Sequence, residues 1–207
     1  MSEPVDDSQG SEAWKRQRLA KITGTRAHAV IVGGKGYEVV FNEVLEEFKT
    51  GELPPDIDNE FMKHGRDTEP VAADHYAANE GVELEELKFI THPADDLKDW
   101  VGASPDRKVK DQNMYIEIKC PGTENHRKFC KTGNIPVRYQ SQMLLQMAVS
   151  PEIESVDFVS FDDRKENYEG IEYYVDMIIS NFPRDAKRIK DMETKIRKFI
   201  YEVKSAI

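Results

Sequence analysis

Met114-Tyr115-Ile116-Glu117-Ile118-Lys119-Cys120 reads as one β-strand, and Gly102-Ala103-Ser104-Pro105-Asp106 stands a short hairpin before it. Side chains alternate faces along a strand, so Glu117 and Lys119 share one side while Ile116, Ile118 and Cys120 turn to the core. The hairpin can bring Asp106 beside Glu117. Two carboxylates with the Ile118 carbonyl between them make an all-oxygen site. Such a site suits Mg2+, which keeps several waters and binds through one or two carboxylates plus substrate phosphate. A metal lowers the pKa of its bound water, and a nearby lysine can orient that water and offset phosphate charge. Those are the requirements of phosphodiester hydrolysis. An exposed Glu–Lys pair on an ordinary hairpin is the plain alternative.

Outward from this strand the chain alternates in type. Residues 1–10 read as a flexible acidic leader and 11–207 as a single domain. Ser11 caps a short helix through Trp14 and Leu19, and a second short helix covers 26–32. The glycines at 33, 34 and 36 break it; they lack the spacing of a phosphate loop. Helical periodicity follows over 37–49, with Val40, Val44, Leu45 and Phe48 in phase, and again over 59–79. There Glu69 falls on the same face as Gly65, Ala72, Ala73 and Tyr76, and a carboxylate on such a face needs a partner. Strands are expected at 82–90, 100–103, 114–120, 156–161 and 171–177. A helix at 137–149 carries Tyr139, Gln142 and Gln146 on one face, a polar stripe suited to a site wall. The last helix, capped by Ser180 or Asn181 with Pro183 in its first turn, has an apolar stripe from Ile189 to Val203. Helices, a strand cluster, a helix, two strands and a helix make a mixed α/β fold.

Composition excludes several classes. No apolar run approaches the roughly 20 residues of a membrane span, and the acidic start lacks a signal pattern, so a cytoplasmic protein without a membrane partner is expected. Cys120 and Cys130 cannot supply four iron–sulfur ligands. The five histidines show no zinc spacing. Trp14 and Trp100 read as core anchors. A net charge of −10 over 207 residues argues at first against a phosphate-bearing partner. The charge is segregated, however. Residues 14–37 carry +6, residues 38–101 carry −13 and residues 102–131 carry +3.

Five ordered blocks between residues 9 and 149 resemble the phage lambda-type exonucleases of the YqaJ viral recombinase group. They are Gln9-Gly10-Ser11-Glu12-Ala13-Trp14 with Arg18 to Thr25, then Gly65-Arg66-Asp67-Thr68-Glu69, the Gly102 to Asp106 block, Glu117-Ile118-Lys119-Cys120-Pro121, and Tyr139-Gln140-Ser141-Gln142. The resemblance implies a restriction-endonuclease-like PD-(D/E)xK core, a central mixed sheet flanked by helices. It implies a Mg2+-dependent 5′→3′ exonuclease on linear double-stranded DNA, with a two-metal site in which Mn2+ can substitute. Asp106, Glu117 and the Ile118 carbonyl would bind metal, Lys119 would position water, and Glu69 would complete the network. Tyr139 and Gln142 would lie beside the scissile phosphate. Arg18, Thr25 and Ser104 match the family's pocket for a terminal 5′-phosphate, and Arg127 is the candidate for a further DNA contact. The resemblance also implies a homotrimeric ring, a phage single-strand-annealing recombinase as partner, and the cytoplasm of a bacterial host. A ring could turn the basic blocks inward and the acidic block outward. On the same core, an endonuclease, a repair nuclease or a non-catalytic DNA-binding protein are the alternatives.

Overall fold

The computed structural model describes residues 10–55, 58–168 and 171–207. All of the expected leader except Gly10 lies outside them. The helices are α1 (Glu12–Arg18), α2 (Gly24–Val32), α3 (Lys35–Thr50), α4 (Glu60–Glu80), α5 (Thr123–Thr132), α6 (Val137–Val149) and α7 (Ala186–Ser205). The strands are β1 (Leu84–Glu85), β2 (Ile90–Thr91), β3 (Gly102–Ala103), β4 (Arg107–Val109), β5 (Met114–Lys119), β6 (Ser155–Tyr168) and β7 (Ile171–Pro183).

Five strands form one sheet in the order β1-β4-β5-β6-β7. Only β5 and β6 run parallel; the other pairs are antiparallel, so the sheet is mixed. Each face is covered. Ile116 and Ile118 of β5 pack with Ala72, Ala73 and Tyr76 of α4. The opposite face, through Tyr115, Val156 and Phe158, packs against α2, α6 and α7. This is the mixed α/β architecture expected, helices on both sides of a central sheet.

Ser11 caps α1, its side chain accepting from the Trp14 N–H at 3.1 Å. The α7 stripe is buried at Ile189, Met192, Ile196, Phe199, Ile200 and Val203. The cap of α7 is Asp185, not Ser180 or Asn181, because β7 keeps pairing with β6 as far as Pro183 opposite Ser155. The strand expected over 82–90 shrinks to Leu84–Glu85 and a separate Ile90–Thr91. α2 begins two residues earlier than its periodicity indicates, at Gly24. A Cβ there would come within 2.6 Å of the Gln142 side chain, so the close crossing of α2 and α6 requires glycine.

Two small features place the functional side chains. The β4–β5 hairpin pairs Arg107 with Ile116, which sets Asp106 opposite Glu117. An isolated parallel bridge joins Ile22 to Val101, with Ile22 N–H donating to the Trp100 carbonyl at 2.7 Å. That bridge seats the turn between α1 and α2 beside the Gly102 to Asp106 segment. Gly102 itself lies where a Cβ would stand 2.2 Å from the Phe89 ring and 2.8 Å from the Ile90 carbonyl oxygen. The Gly102→Ala variant is therefore expected to lose about 1–3 kcal/mol of stability, because the β2 backbone cannot yield. Thermal denaturation checks this, and an unchanged melting temperature would contradict the packing.

Candidate active site

β5 is covered on both faces, so its alternation gives no solvent side at its centre. Glu117 is 0 % exposed. It is tolerated because it is paired. Lys119 forms an ion pair with it, and Gln146 of α6, 1 % exposed, donates its side-chain amide to Glu117 Oε2. Asp106 is buried too, and its Oδ2 accepts the Ile118 N–H at 2.7 Å. Lys119 Nζ also donates to the Ile118 carbonyl at 3.0 Å and lies 5.5 Å from the centre of the Tyr139 ring. Glu69 arrives from α4, one residue before Pro70 within that helix. Arg107 donates to Glu69 Oε1 at 3.3 Å.

This cluster is strongly interacting. Burial and the neighbouring Asp106 push both Glu69 and Glu117 up to about 7. Burial also raises Asp106, against Lys119, the Ile118 N–H and Arg107. Burial works against the Lys119 charge, but Glu117 and Asp106 outweigh it and hold the ammonium protonated. Burial raises the Cys120 thiol to about 12, so it stays protonated. Among the described residues no three acid, histidine or cysteine side chains converge as a metal cluster. Each of the three acids is turned to a partner within the protein.

A groove of about 1030 Å³ opens on this cluster and is lined by Glu69, Ile118, Lys119 and Tyr139. Its other wall holds Arg18, Thr23, Thr25 and Arg26. Arg18 donates to Ser104 Oγ and Thr23 Oγ1, both at 3.4 Å, and its guanidinium sits 4.1 Å over the Trp14 ring. Trp14 Nε1 donates to the same Ser104 hydroxyl at 3.1 Å. With two donors on its oxygen, Ser104 keeps its own proton to give. Burial and the charge of Arg26 lower Arg18 to about 10, still protonated at neutral pH. Phe61 and Met62 stand exposed on the α4 side of the groove.

Glu69, Ile118, Lys119 and Tyr139 thus line one cavity with Arg18 and Thr25, while Asp106 and Glu117 lie buried behind it, bonded to the Ile118 N–H and to Lys119 respectively, and Ser104 is held by Arg18. Gln142 packs instead against Gly24, behind that wall. Arg127 is exposed on α5 and lines neither this groove nor the smaller cavity beside it. Trp14 is not a core anchor; it is half-buried and orients Ser104 and Arg18. Sequence reasoning missed Arg107 and Glu47. Gln146 was visible as part of the polar stripe of α6. Glu47 sits in the helical phase of α3 but reads as one acid among many. It is 6 % exposed, pairs with Arg26, and accepts the Ala20 N–H at 2.8 Å, where Ala20 takes a left-handed φ of 54°.

The family model described as the YqaJ-like viral recombinase domain matches residues 13–152. No curated protein matches the chain. An alkaline exonuclease from Laribacter hongkongensis has a solved structure with a TM-score of 0.83 and 31% identity, over 95% of this chain and 94% of that one. Its complex with dAMP aligns equally well, at 0.83 and 32% over the same shares. A phage-related exonuclease from Haemophilus somnus shares the fold at TM-score 0.59 and 16% identity, over 90% and 96% of the two chains. The fold is the restriction-endonuclease-like core of these nucleases.

The raised carboxyls fix a sign. Glu69 and Glu117 bind protons more tightly folded than unfolded, so their contribution to stability is full below about pH 4.5 and is lost as pH rises through about 7. In chelator, Glu117→Gln is expected to gain stability relative to the parent between pH 5 and 8. Melting curves across that range check this, and a pH-independent difference would contradict it.

Proposed function

The chain belongs to the YqaJ-like viral recombinase domain family, and from that premise we propose that it is a Mg2+-dependent 5′→3′ exonuclease of linear double-stranded DNA. Family membership and the likeness to an alkaline exonuclease support a nuclease that hydrolyses DNA. The observation that carries the finer reading is the pairing of two sites along one groove: an acid–lysine cluster and, beside it, an Arg18–Ser104–Thr25 pocket at the start of α2.

The donor set fits a hard divalent cation. Asp106, Glu117, Glu69 and the Ile118 carbonyl offer only oxygen, and the two glutamates are raised first by burial and then by repulsion from Asp106, both of which a cation would offset. When bound, Mg2+, or Mn2+ in its place, supplies an activated water and neutralises phosphate charge, two ions dividing that work. Lys119, held by Glu117 and the Ile118 carbonyl, keeps a positive charge at the scissile phosphate and orients the water. Tyr139 walls that lysine on the cavity side. Gln146 fixes the Glu117 carboxylate, and Arg107 orients Glu69 and opposes the upward shift that burial imposes on it.

The pocket sets direction. A guanidinium, two hydroxyls and the N-terminus of a helix all favour a phosphate dianion. With the terminal 5′-phosphate held there, the next phosphodiester reaches Lys119. Water attacks that phosphorus, the bond to the 3′ oxygen breaks, and a 5′-mononucleotide with a free 3′-OH leaves. The shortened strand now begins with a 5′-phosphate, which is what the pocket takes for the next cut. Phe61 and Met62 offer apolar surface to an opened base pair at the groove.

The remaining strand is a 3′ overhang, the substrate of a phage single-strand-annealing recombinase. A homotrimeric ring closing the groove around DNA, in the cytoplasm of a bacterial host, completes the reading. Among the described residues no helix is long and apolar enough to cross a membrane.

Linear duplex labelled at either end is expected to lose 5′-terminal nucleotides first, only with divalent metal, while closed circles stay intact. Lys119→Ala should slow release by about 10²–10³-fold. Arg18→Ala should reduce the preference for 5′-phosphate over 5′-hydroxyl ends by about 10–100-fold. Cleaved circles would indicate an endonuclease or repair nuclease on the same core. Metal-independent DNA binding without hydrolysis would indicate a non-catalytic DNA-binding protein.

A further inference from the structure

A second cavity, of about 380 Å³, lies between α5, α6 and β6. Lys119, Pro121 and Tyr139 line both it and the main groove, so the two spaces open on either side of the proposed catalytic lysine. We propose that this cavity holds the base of the second nucleotide of the digested strand, the one that follows the scissile phosphate. The proposal rests on the strand polarity given above.

Its walls have the chemistry of a base site. Phe158 forms the floor, with Phe129 edge-on at 5.1 Å and Tyr139 stacked at 5.4 Å between ring centres. Around the mouth stand two side-chain amides, Asn125 and Asn134, and two cations, Lys128 and Arg138. An apolar lining in which Phe158 is already covered by Tyr139 and Phe129 accepts any base by contact rather than by stacking, and an amide rim meets a polar edge without dictating one. The size falls at the lower end of the roughly 300–1,000 Å³ of small-molecule sites, which admits a nucleoside and not a duplex. The cations suit the phosphates on either side of the sugar. Arg138 is held in place, its guanidinium 4.5 Å over the Tyr139 ring and donating to the Tyr139 hydroxyl at 2.7 Å.

The cavity is also built on rigid parts. α5 is fastened to β6 by fully buried His126, whose Nδ1 lies 2.9 Å from Ser160 Oγ, and by Phe129 against Phe158. Position supplies the occupant. With the terminal phosphate at Arg18 and Ser104, the first nucleotide spans from there to Lys119. The strand then continues past Lys119 and Tyr139, where this cavity begins. Seating the second base would align its 5′-phosphate for attack, and one cut would carry that nucleotide to the terminal position.

The test is the first-cut rate under single-turnover conditions on a 5′-phosphorylated duplex bearing one abasic residue at position 1, 2 or 3. The expected result is a loss of about tenfold at position 2, with smaller changes at 1 and 3. Asn134→Trp, which fills the cavity from its exposed rim, should slow intact DNA by about tenfold and erase the difference between intact and position-2 abasic substrate. Equal wild-type rates on those two substrates, with 5′-phosphate dependence retained, overturn the cavity assignment alone. So does an Asn134→Trp enzyme that keeps the wild-type discrimination, or one whose oligomeric mass changes, which makes the cavity a contact between copies. Loss of 5′-end dependence in the wild type overturns the polarity and the cavity assignment with it.

Discussion

Glu117 sits at the centre of a strand with no solvent face, and much of the surrounding structure serves that one buried carboxylate. An uncompensated charge in such a place costs several kcal/mol. The compensation comes from two directions, Lys119 from the same strand two residues on and Gln146 from the helix above. Asp106, just before β4, works against it by repulsion while accepting the Ile118 N–H. These contacts fix the register of β4 against β5 and the rotation of α6 over the sheet. The same arrangement leaves Asp106, Glu117 and Lys119 interacting behind a groove that Lys119 and Glu69 line. The burial problem and the acid–lysine cluster are one feature of the fold.

A second constraint works at a distance from β5. The Ile22–Val101 bridge pulls the α1–α2 turn onto the segment leading to Asp106. Ser104 lies between the two, bonded to Trp14 and Arg18 on one side and two residues from Asp106 on the other. The Arg18–Ser104 pocket and the acid cluster are therefore spaced by a short stretch of backbone. Gly102 permits that stretch to press against β2, and Gly24 permits α2 to cross α6. Glycine at these two places is a matter of room.

The strand at the heart of the site was legible because alternation and an acid–x–lysine pattern coincide there. The stripe of α7 and the Ser11 cap were legible for similar reasons: a strong period and a local hydrogen bond, each contained within a few residues. α5 was not. It buries only His126 and Phe129 among polar neighbours, so it shows no stripe, and its placement depends on contacts with β6 far along the chain. The start of α7 was misjudged because pairing of β7 with β6 overrides the capping tendency of Ser180 and Asn181. Trp14 was misjudged because its indole N–H finds Ser104, 90 residues away. Arg107 and Glu47 share this cause. Their roles come from long-range partners, and no spacing rule reaches them. The sequence blocks that resemble a known family were the source of most of the proposed site residues; the physical reading of isolated residues carried the strand and the hairpin.

The net charge looks different once its members are placed. The −13 of residues 38–101 suggested a surface turned away from phosphate, yet Glu47 and Glu69 from that block lie inside the groove. Glu47 neutralises Arg26 and pins the left-handed Ala20, which ends α1 just after Arg18. Without that carboxylate, Arg18 would face an uncompensated second guanidinium, which already weakens its hold on a proton. Glu69 likewise faces Arg107 across the acid cluster. The acidic block thus contributes the counter-charges that let buried cations hold fixed positions. A pocket of mobile, uniformly basic side chains would attract any stretch of DNA backbone. Arginines held by buried carboxylates instead present a narrower positive field from fixed positions.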